Sequence, residues 1–303
     1  MNLWNERVWK PMLLGERFDA FDSGEYLYEI KFDGIRAVIF ATPQKIIIYN
    51  RHTKDITYLY PELDKIKDLV KGKMIFDGEI VMMENGKPSF SKLQKRAHLK
   101  GKNKIYLQSK ENPVVFVGFD LLYWNKNLIN LPLTKRKEKL NLCDENDVFM
   151  KVKSYDTYGK NLFLQVAKFG LEGIVAKKKE SRYLINERSE NWLKIKNTQE
   201  DFFYIGGYQK KQSDYIVSIL LGEYHQDNFI YVGKAILGKQ SKLFNRLKEL
   251  KKKKNSPFTN FDDSSIFYVT PYIKCKVKYL EKTTNNQLRH PVIEKDQYWV
   301  EKK

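Results

Sequence analysis

Residues 29–36 read Glu29-Ile30-Lys31-Phe32-Asp33-Gly34-Ile35-Arg36. A lysine stands among strand-like apolar residues, with acids on both sides and a glycine three positions on. A free lysine ionises near pH ~10.4 and is protonated at neutral pH, so it is a poor nucleophile. Partial burial and nearby cations lower such a pKa, and the neutral amine can then attack a phosphoryl group. The plainer alternative is a lysine at a strand end, paired with Asp33 and Glu29.

Further pieces follow in order. Arg51-His52-Thr53-Lys54 precedes Tyr60-Pro61-Glu62-Leu63. Next come Asp77-Gly78-Glu79, Phe119-Asp120-Leu121-Leu122, Glu172-Gly173-Ile174-Val175-Ala176-Lys177 and Trp192-Leu193-Lys194-Ile195-Lys196. They offer two carboxylates (Glu79, Glu172), an aromatic ring (Phe119) and the cations Arg36, Lys177, Lys194 and Lys196. Such a kit suits a nucleotide, because a ring can stack on a base, cations can neutralise phosphates, and carboxylates can hold hydroxyls or Mg²⁺. Strand alternation puts Lys194 and Lys196 on one face, where two like charges need an anion or water. His52, His98, His225 and His290 are scattered and form no catalytic constellation.

These residues need elements to hold them. Tyr26–Ile30, Ala37–Phe40, Lys45–Tyr49, Met74–Met83 and Val114–Trp124 read as strands, with a turn at Glu84-Asn85-Gly86-Lys87. Phe90–His98, Leu133–Leu140 and Leu162–Phe169 read as helices, the last capped by Gly170. After the polar joint Asn197-Thr198-Gln199-Glu200, strand-like runs dominate: Phe202–Ile205, Ile216–Leu221, Ile230–Val232 and Ile266–Val269. Five or so short strands in about 100 residues suit a small barrel. The division is therefore placed at residues 1–199 and 200–303.

The chain of 303 residues has 55 basic and 37 acidic side chains, a net charge of +18 that favours polyanions such as nucleic acid. Both parts share it, with a surplus of 11 in residues 1–199 and 7 in residues 200–303. The densest run is Lys248-Glu249-Leu250-Lys251-Lys252-Lys253-Lys254, which reads as a solvated helix end or a nonspecific phosphate contact. No run of 18 apolar residues and no signal-peptide layout occurs, so a cytoplasmic protein with no membrane partner is expected. Cys143 and Cys275 read as buried small hydrophobes rather than a disulfide or zinc site.

With K-x-D-G-x-R, D-G-E, F-D-x-L, E-G-x-x-x-K and W-x-K-x-K in order, the chain resembles the covalent nucleotidyltransferases, specifically the ATP-dependent DNA ligases. The resemblance runs from about Pro11 to Pro291. The flanks Phe90-Ser91-Lys92-Leu93-Gln94 with Arg96, Ser181-Arg182-Tyr183 and Arg188-Ser189 are most similar to the ligase domain of bacterial end-joining ligases and their stand-alone relatives. The resemblance implies an α+β fold: an antiparallel-sheet nucleotidyltransferase domain of ATP-grasp-like type, followed by an all-β OB-fold barrel. It implies Lys31 as the nucleophile that forms lysyl-AMP from ATP. Glu29 and the backbone beside it at Ile30 would read the adenine, and Phe119 would stack on it. Arg36 and Glu79 would lie near the ribose, and Arg51 near the 5′-phosphate of a nick. Glu172, with Glu79, would hold Mg²⁺ or Mn²⁺. Lys194 and Lys196 would contact the α-phosphate, with Lys177 in the same cationic cluster. Arg289, in Leu288-Arg289-His290-Pro291-Val292-Ile293, would orient pyrophosphate. The second basic cluster expected after it is missing from Glu294–Tyr298, although Lys302 and Lys303 lie beyond, which implies either a slower first step or another cation in its place.

The resemblance further implies nicked duplex DNA as substrate, a Ku-like end-binding partner, a monomer, and association with the nucleoid in a bacterium. A DNA clamp or encircling loop would fall around Lys239 to Asn260. Among rivals, an RNA ligase or capping enzyme fits the flanks of Arg51, Asp77 and Arg188 less well. An NAD-dependent ligase would need more chain before Lys31 and zinc-binding cysteines. A non-catalytic OB-fold binding protein would not need Lys31, Glu79, Glu172 and the paired lysines together. A P-loop ATPase lacks its motif here.

Overall fold

The computed structural model describes residues 2–7, 9–210, 216–237, 242–283 and 285–300. The chain divides into two compact units, Met1–Asn197 and Thr198–Lys303.

The first unit is built on two five-stranded sheets. In one, Ser23–Ile30 (β2), Gly173–Lys178 (β11) and Arg188–Lys196 (β12) form the antiparallel middle. Ser154–Thr157 (β10) adds to β2, and Leu13–Glu16 (β1) runs parallel along β12. The other has the order Lys45–Asn50 (β4), Ile35–Thr42 (β3), Met74–Val81 (β5), Val115–Trp124 (β8) and Phe149–Lys151 (β9). It is antiparallel except for β9 along β8. Each sheet thus departs from pure antiparallel pairing at one edge. Four helices, Phe90–Ala97 (α1), Lys102–Glu111 (α2), Leu133–Asn141 (α3) and Gly159–Lys168 (α4), accompany them.

Side chains alternate across each strand, so each sheet has two chemically different faces. On the first sheet, Tyr28, Ile30, Ile174, Ala176, Leu193 and Ile195 form an apolar cluster with Val166 of α4. The alternate positions carry Glu29, Lys177, Lys194 and Lys196. Trp192 shares that polar side. It belongs to a cluster with Val38, Phe40 and Ile75 of the second sheet. The two sheets therefore face each other across this cluster. The far side of the second sheet, with Ala37, Ile39, Phe76 and Ile80, packs against Leu63, Ile66 and Leu93.

Two local features hold the strands in place. Gly173 has φ +147°, and a Cβ there would lie 2.1 Å from the Ile195 carbonyl oxygen, so only glycine permits this close approach. The Arg136 and Asp120 side chains, both fully buried, form a bidentate pair, and Arg136 Nη1 also donates to the Leu131 and Ser181 carbonyls. Every strong donor and acceptor in this pair has a partner, as burial of charge demands.

The expected strand Met74–Met83 breaks at Met82. A separate hairpin of Met83–Glu84 (β6) and Lys87–Pro88 (β7) follows, turned by Asn85 (φ 49°) and Gly86 (φ 77°). Gly170 (φ 66°) ends α4 as expected, with Leu171 donating to the Val166 carbonyl.

In the second unit, Gln199–Lys210 (β13) pairs with Ile216–His225 (β14) at one end and with Ile273–Tyr279 (β18) at the other. Asn228–Ile236 (β15) follows β14, and Val292–Val300 (β19) bridges β15 and β18. The circuit closes into a five-strand barrel, with Lys252–Lys253 (β16) and Phe267–Val269 (β17) added beside β13. Its interior includes Phe203, Ile219, Leu221, Val232, Cys275 and Val277. This is the all-β arrangement consistent with an OB fold, but its strands are longer than the short runs expected. The helix Lys242–Glu249 (α5) turns Leu243 and Leu247 into the same core. That part of the Lys239–Asn260 stretch therefore packs on the barrel; residues 239–241, like Lys302 and Lys303, lie outside the described residues. Cys143 and Cys275 are both buried. Among the described residues no helix is long and apolar enough to cross a membrane.

Arg136→Ala strands the buried Asp120 carboxylate and is expected to cost about 3–5 kcal/mol. Lys135→Ala, at an exposed pair with Glu138, is expected to change stability by less than about 1 kcal/mol. Urea denaturation of the two variants measures the contrast.

Candidate nucleotide site

The polar face of the first sheet gathers the sequence-selected residues by register. Glu16, Lys194, Val175 and Glu29 stand opposite one another along β1, β12, β11 and β2. One row on, Gly173 faces Lys196, and the Lys31 amide donates to the Gly173 carbonyl at 2.9 Å. Lys31, just past the end of β2, and Lys194 and Lys196 of β12 are thus brought together only by folding.

Lys31 Nζ lies 2.6 Å from Glu172 Oε2, an ion pair only 21% and 10% exposed. This corrects the strand-end pairing with Glu29, since Glu29 is taken elsewhere. Its carboxylate, 2% exposed, is bound by the Lys137 and Lys177 ammonium groups and accepts a hydrogen bond from Ser154 Oγ at 2.9 Å. Burial alone would raise the Glu29 carboxyl, but the two lysines outweigh it and hold the group below its ordinary value. Burial depresses Lys177 to about 8 against the pull of Glu29, with Lys137 adding to the fall. The Ile30 side chain packs on the apolar face, so only its backbone is on offer to a ligand.

Lys194 and Lys196 share one counter-ion, each 3.5 Å from the Glu16 carboxylate. Burial, with Lys196 beside it, lowers the Lys194 pKa. The second sheet contributes from its facing side. Arg36 grips the fully buried Asp77 through two 2.6 Å hydrogen bonds, and Tyr183 donates to the same carboxylate. Although burial opposes its charge, Asp77 holds the Arg36 guanidinium above its ordinary pKa. The Phe119 ring lies 4.5 Å from the Arg36 guanidinium and 4.3 Å from Lys177 Nζ. Those distances are typical of cation–π contacts.

Two further selected residues have partners of their own. Arg51, exposed on the turn after β4, donates to His52 Nε2 at 3.0 Å; among the described residues it joins none of the ion pairs around Lys31. Arg289 belongs to the second unit, where it pairs with Glu281 at 3.2 Å. Sequence reasoning missed Glu16, Lys137, Ser154 and the anchoring Asp77–Tyr183 pair. Two adjacent cations in the helix Leu133–Leu140, Arg136 and Lys137, were the available signal for one of them.

Among the described residues no group of three or more His, Cys, Asp or Glu forms a metal cage. The site instead offers two carboxylates, Glu172 and Glu79. That donor set fits a cation held by one or two carboxylates together with substrate phosphates, as Mg²⁺ usually is. Burial lifts Glu79 to about 7, with Lys31 and Arg36 pulling it down and Glu172 and Asp77 pushing it up. A carboxyl raised in the folded state adds stability below its unfolded pKa of 4.5, and that stability is lost as pH rises towards 7. Glu79→Gln is accordingly expected to flatten the fall in Tm between about pH 5 and 7, measured without nucleotide or divalent cation.

Residues 12–196 match the family model described as the ATP dependent DNA ligase domain, and residues 212–297 match the ATP dependent DNA ligase C terminal region. The SPbeta prophage-derived DNA ligase-like protein LigB of Bacillus subtilis is 31% identical over 288 residues, covering 94% of this chain and 97% of LigB. The multifunctional non-homologous end joining protein LigD of Mycolicibacterium smegmatis is 29% identical over 297 residues, covering 93% of this chain but only 37% of LigD. This chain thus corresponds to little more than a third of that relative. Among solved structures, the ligase domain of M. tuberculosis LigD superposes with a TM-score of 0.58 at 25% identity, covering 97% of this chain and 96% of that one. A mycobacterial DNA ligase D complexed with ATP and MES gives 0.60 at 26%, covering 98% and 97%. Matches that run through both units, on a chain whose motif lysines converge on one sheet face, place it in the ATP-dependent DNA ligase family.

Proposed function

We propose that this ligase seals 3′-hydroxyl/5′-phosphate nicks in duplex DNA through an AMP carried on Lys31. The observation that carries the reading is the convergence of Lys31, Lys194 and Lys196 on one polar sheet face, with Glu172 beside the first. In the first step the Lys31 amine attacks the α-phosphorus of ATP, forming an N–P bond as pyrophosphate leaves. In the second, a 5′-phosphate oxygen takes the AMP and frees the lysine. In the third, the 3′-hydroxyl attacks that phosphate and AMP departs. Each step is an in-line displacement that needs positioning and cations more than acid–base machinery.

Lys194 and Lys196 stabilise charge on the α-phosphate, taking the phosphate in place of Glu16. Phe119 stacks on the adenine and Glu29 reads its edge, with the Ile30 backbone beside it. Lys177 keeps Glu29 and Phe119 in place. Arg36 and Glu79 lie near the ribose, and Arg51, exposed on its turn, meets the 5′-phosphate of the nick. Arg289 is the pyrophosphate-orienting residue of this reading. Glu172 and Glu79 would hold Mg²⁺ or Mn²⁺, which would supply charge neutralisation on the phosphates. The end-joining relatives favour a Ku-like partner, and a cytoplasmic monomer, nucleoid-associated in a bacterium, completes the reading.

With ATP and Mg²⁺, the protein is expected to join a nicked DNA duplex, and an all-RNA nick far more slowly. Lys31→Ala should abolish sealing, and Lys194→Ala or Lys196→Ala should slow it roughly 100- to 1000-fold. Gel separation of joined and nicked strands reads all four outcomes. Equal joining of RNA would shift the reading to an RNA ligase, and joining by Lys31→Ala would end it.

A further inference from the structure

Glu29 is a single buried carboxylate held by two buried ammonium groups, with side-chain exposures of 2% for Glu29, 8% for Lys137 and 3% for Lys177. One cation would neutralise it. The second carries an added desolvation cost, and the one other carboxylate that Lys177 feels, Asp120, is already bound by Arg136. Such a local imbalance points to a function outside the fold's own stability. The geometry divides the labour. Lys137 and the Ser154 hydroxyl both hold Oε1, whereas Lys177 holds Oε2 at 2.6 Å. Lys177 is already fixed by other contacts, since its ammonium lies 4.3 Å from the Phe119 ring and 4.0 Å from the Trp192 ring. Lys137 reaches in from α3, next to Arg136, whose anchorage to Asp120 and two carbonyls fixes that turn of the helix.

We propose that Lys137 is a positioning residue for nucleotide selection, which with Ser154 sets the orientation of the Glu29 carboxylate against the edge of the purine. The inference rests on the site being the ATP site proposed above. A carboxylate is an acceptor only. Held towards the purine edge, it accepts from the exocyclic amine of adenine, whereas guanine puts a carbonyl oxygen at that position and two acceptors oppose each other. A site that leaves such a group unpaired discriminates strongly. A carboxylate free to rotate loses that selectivity. Removing Lys137 leaves Glu29 and Lys177 as a neutral pair, so the fold should tolerate the change.

The test is self-labelling with α-labelled ATP or GTP and Mg²⁺, read for wild type, Lys137→Met and Ser154→Ala, alongside thermal melts. For Lys137→Met the half-saturating ATP concentration should rise about tenfold, as the carboxylate loses one of its two ammonium partners. The saturating rate should change less, the preference for ATP over GTP should fall in step, and Tm should move only a few degrees. Ser154→Ala should shift the same two quantities in the same direction by a smaller factor. Unchanged half-saturation and unchanged selectivity in Lys137→Met overturn the proposal. So does a large drop in Tm together with wild-type behaviour of Ser154→Ala, since Lys137 would then be structural. Failure of the wild type to take label from ATP, even after pyrophosphate treatment to strip bound AMP, removes the ATP-site reading itself.

Discussion

The structure depends on one constraint: a single sheet must bury one face and charge the other. Along β2, β11 and β12 the odd–even alternation sends Tyr28, Ile30, Ile174, Ala176, Leu193 and Ile195 under α4. It sends Glu29, Lys177, Lys194 and Lys196 the opposite way. Burial of the apolar set sets the register, because a slip of one residue would turn six apolar side chains towards the charged cleft and the lysines into the core. The site is therefore positioned by hydrophobic packing on the side where no chemistry occurs. Gly173, where the two strands approach too closely for any side chain, keeps the Lys31 row in line with Lys196.

Crowding so many charges on one face has an electrostatic consequence. Each cation of the cluster has an acid partner: Lys31 has Glu172, Lys194 and Lys196 share Glu16, Lys137 and Lys177 share Glu29, and Arg36 has Asp77. These partnerships differ in strength. Asp77 and Glu29 are buried, and their pairs are permanent parts of the frame. Glu16 is about half exposed and 3.5 Å from both lysines. Such a pair contributes little, so an incoming phosphate can replace it at small cost. The arrangement thus separates buried, permanent pairs from half-exposed counter-ions that an incoming anion can replace.

Much of this was legible in the sequence. The K-x-D-G run at Lys31, the paired lysines two residues apart, the Asn85-Gly86 turn and the Gly170 cap are local signals, readable from a few neighbouring residues. The partners were not. Lys31 and Glu172 are 141 positions apart, and nothing near either residue selects the other. Glu16 lies on a four-residue edge strand too short to show alternation, and β10, which supplies Ser154, is equally short. Lys137 was not singled out at all, because its inward position follows from how α3 docks on β8. The barrel itself was expected, but not the pairing that closes it, in which the long β13 serves β14 and β18 at once.

The proposed chemistry places AMP on one lysine among several on this sheet face. Its most direct test is tandem mass spectrometry of protein stripped with pyrophosphate and then incubated with ATP and Mg²⁺, mapping every adenylylated lysine. The account predicts AMP on Lys31, with Lys177, Lys194 and Lys196 unmodified. AMP on one of those three instead, or no covalent AMP at all, would contradict it.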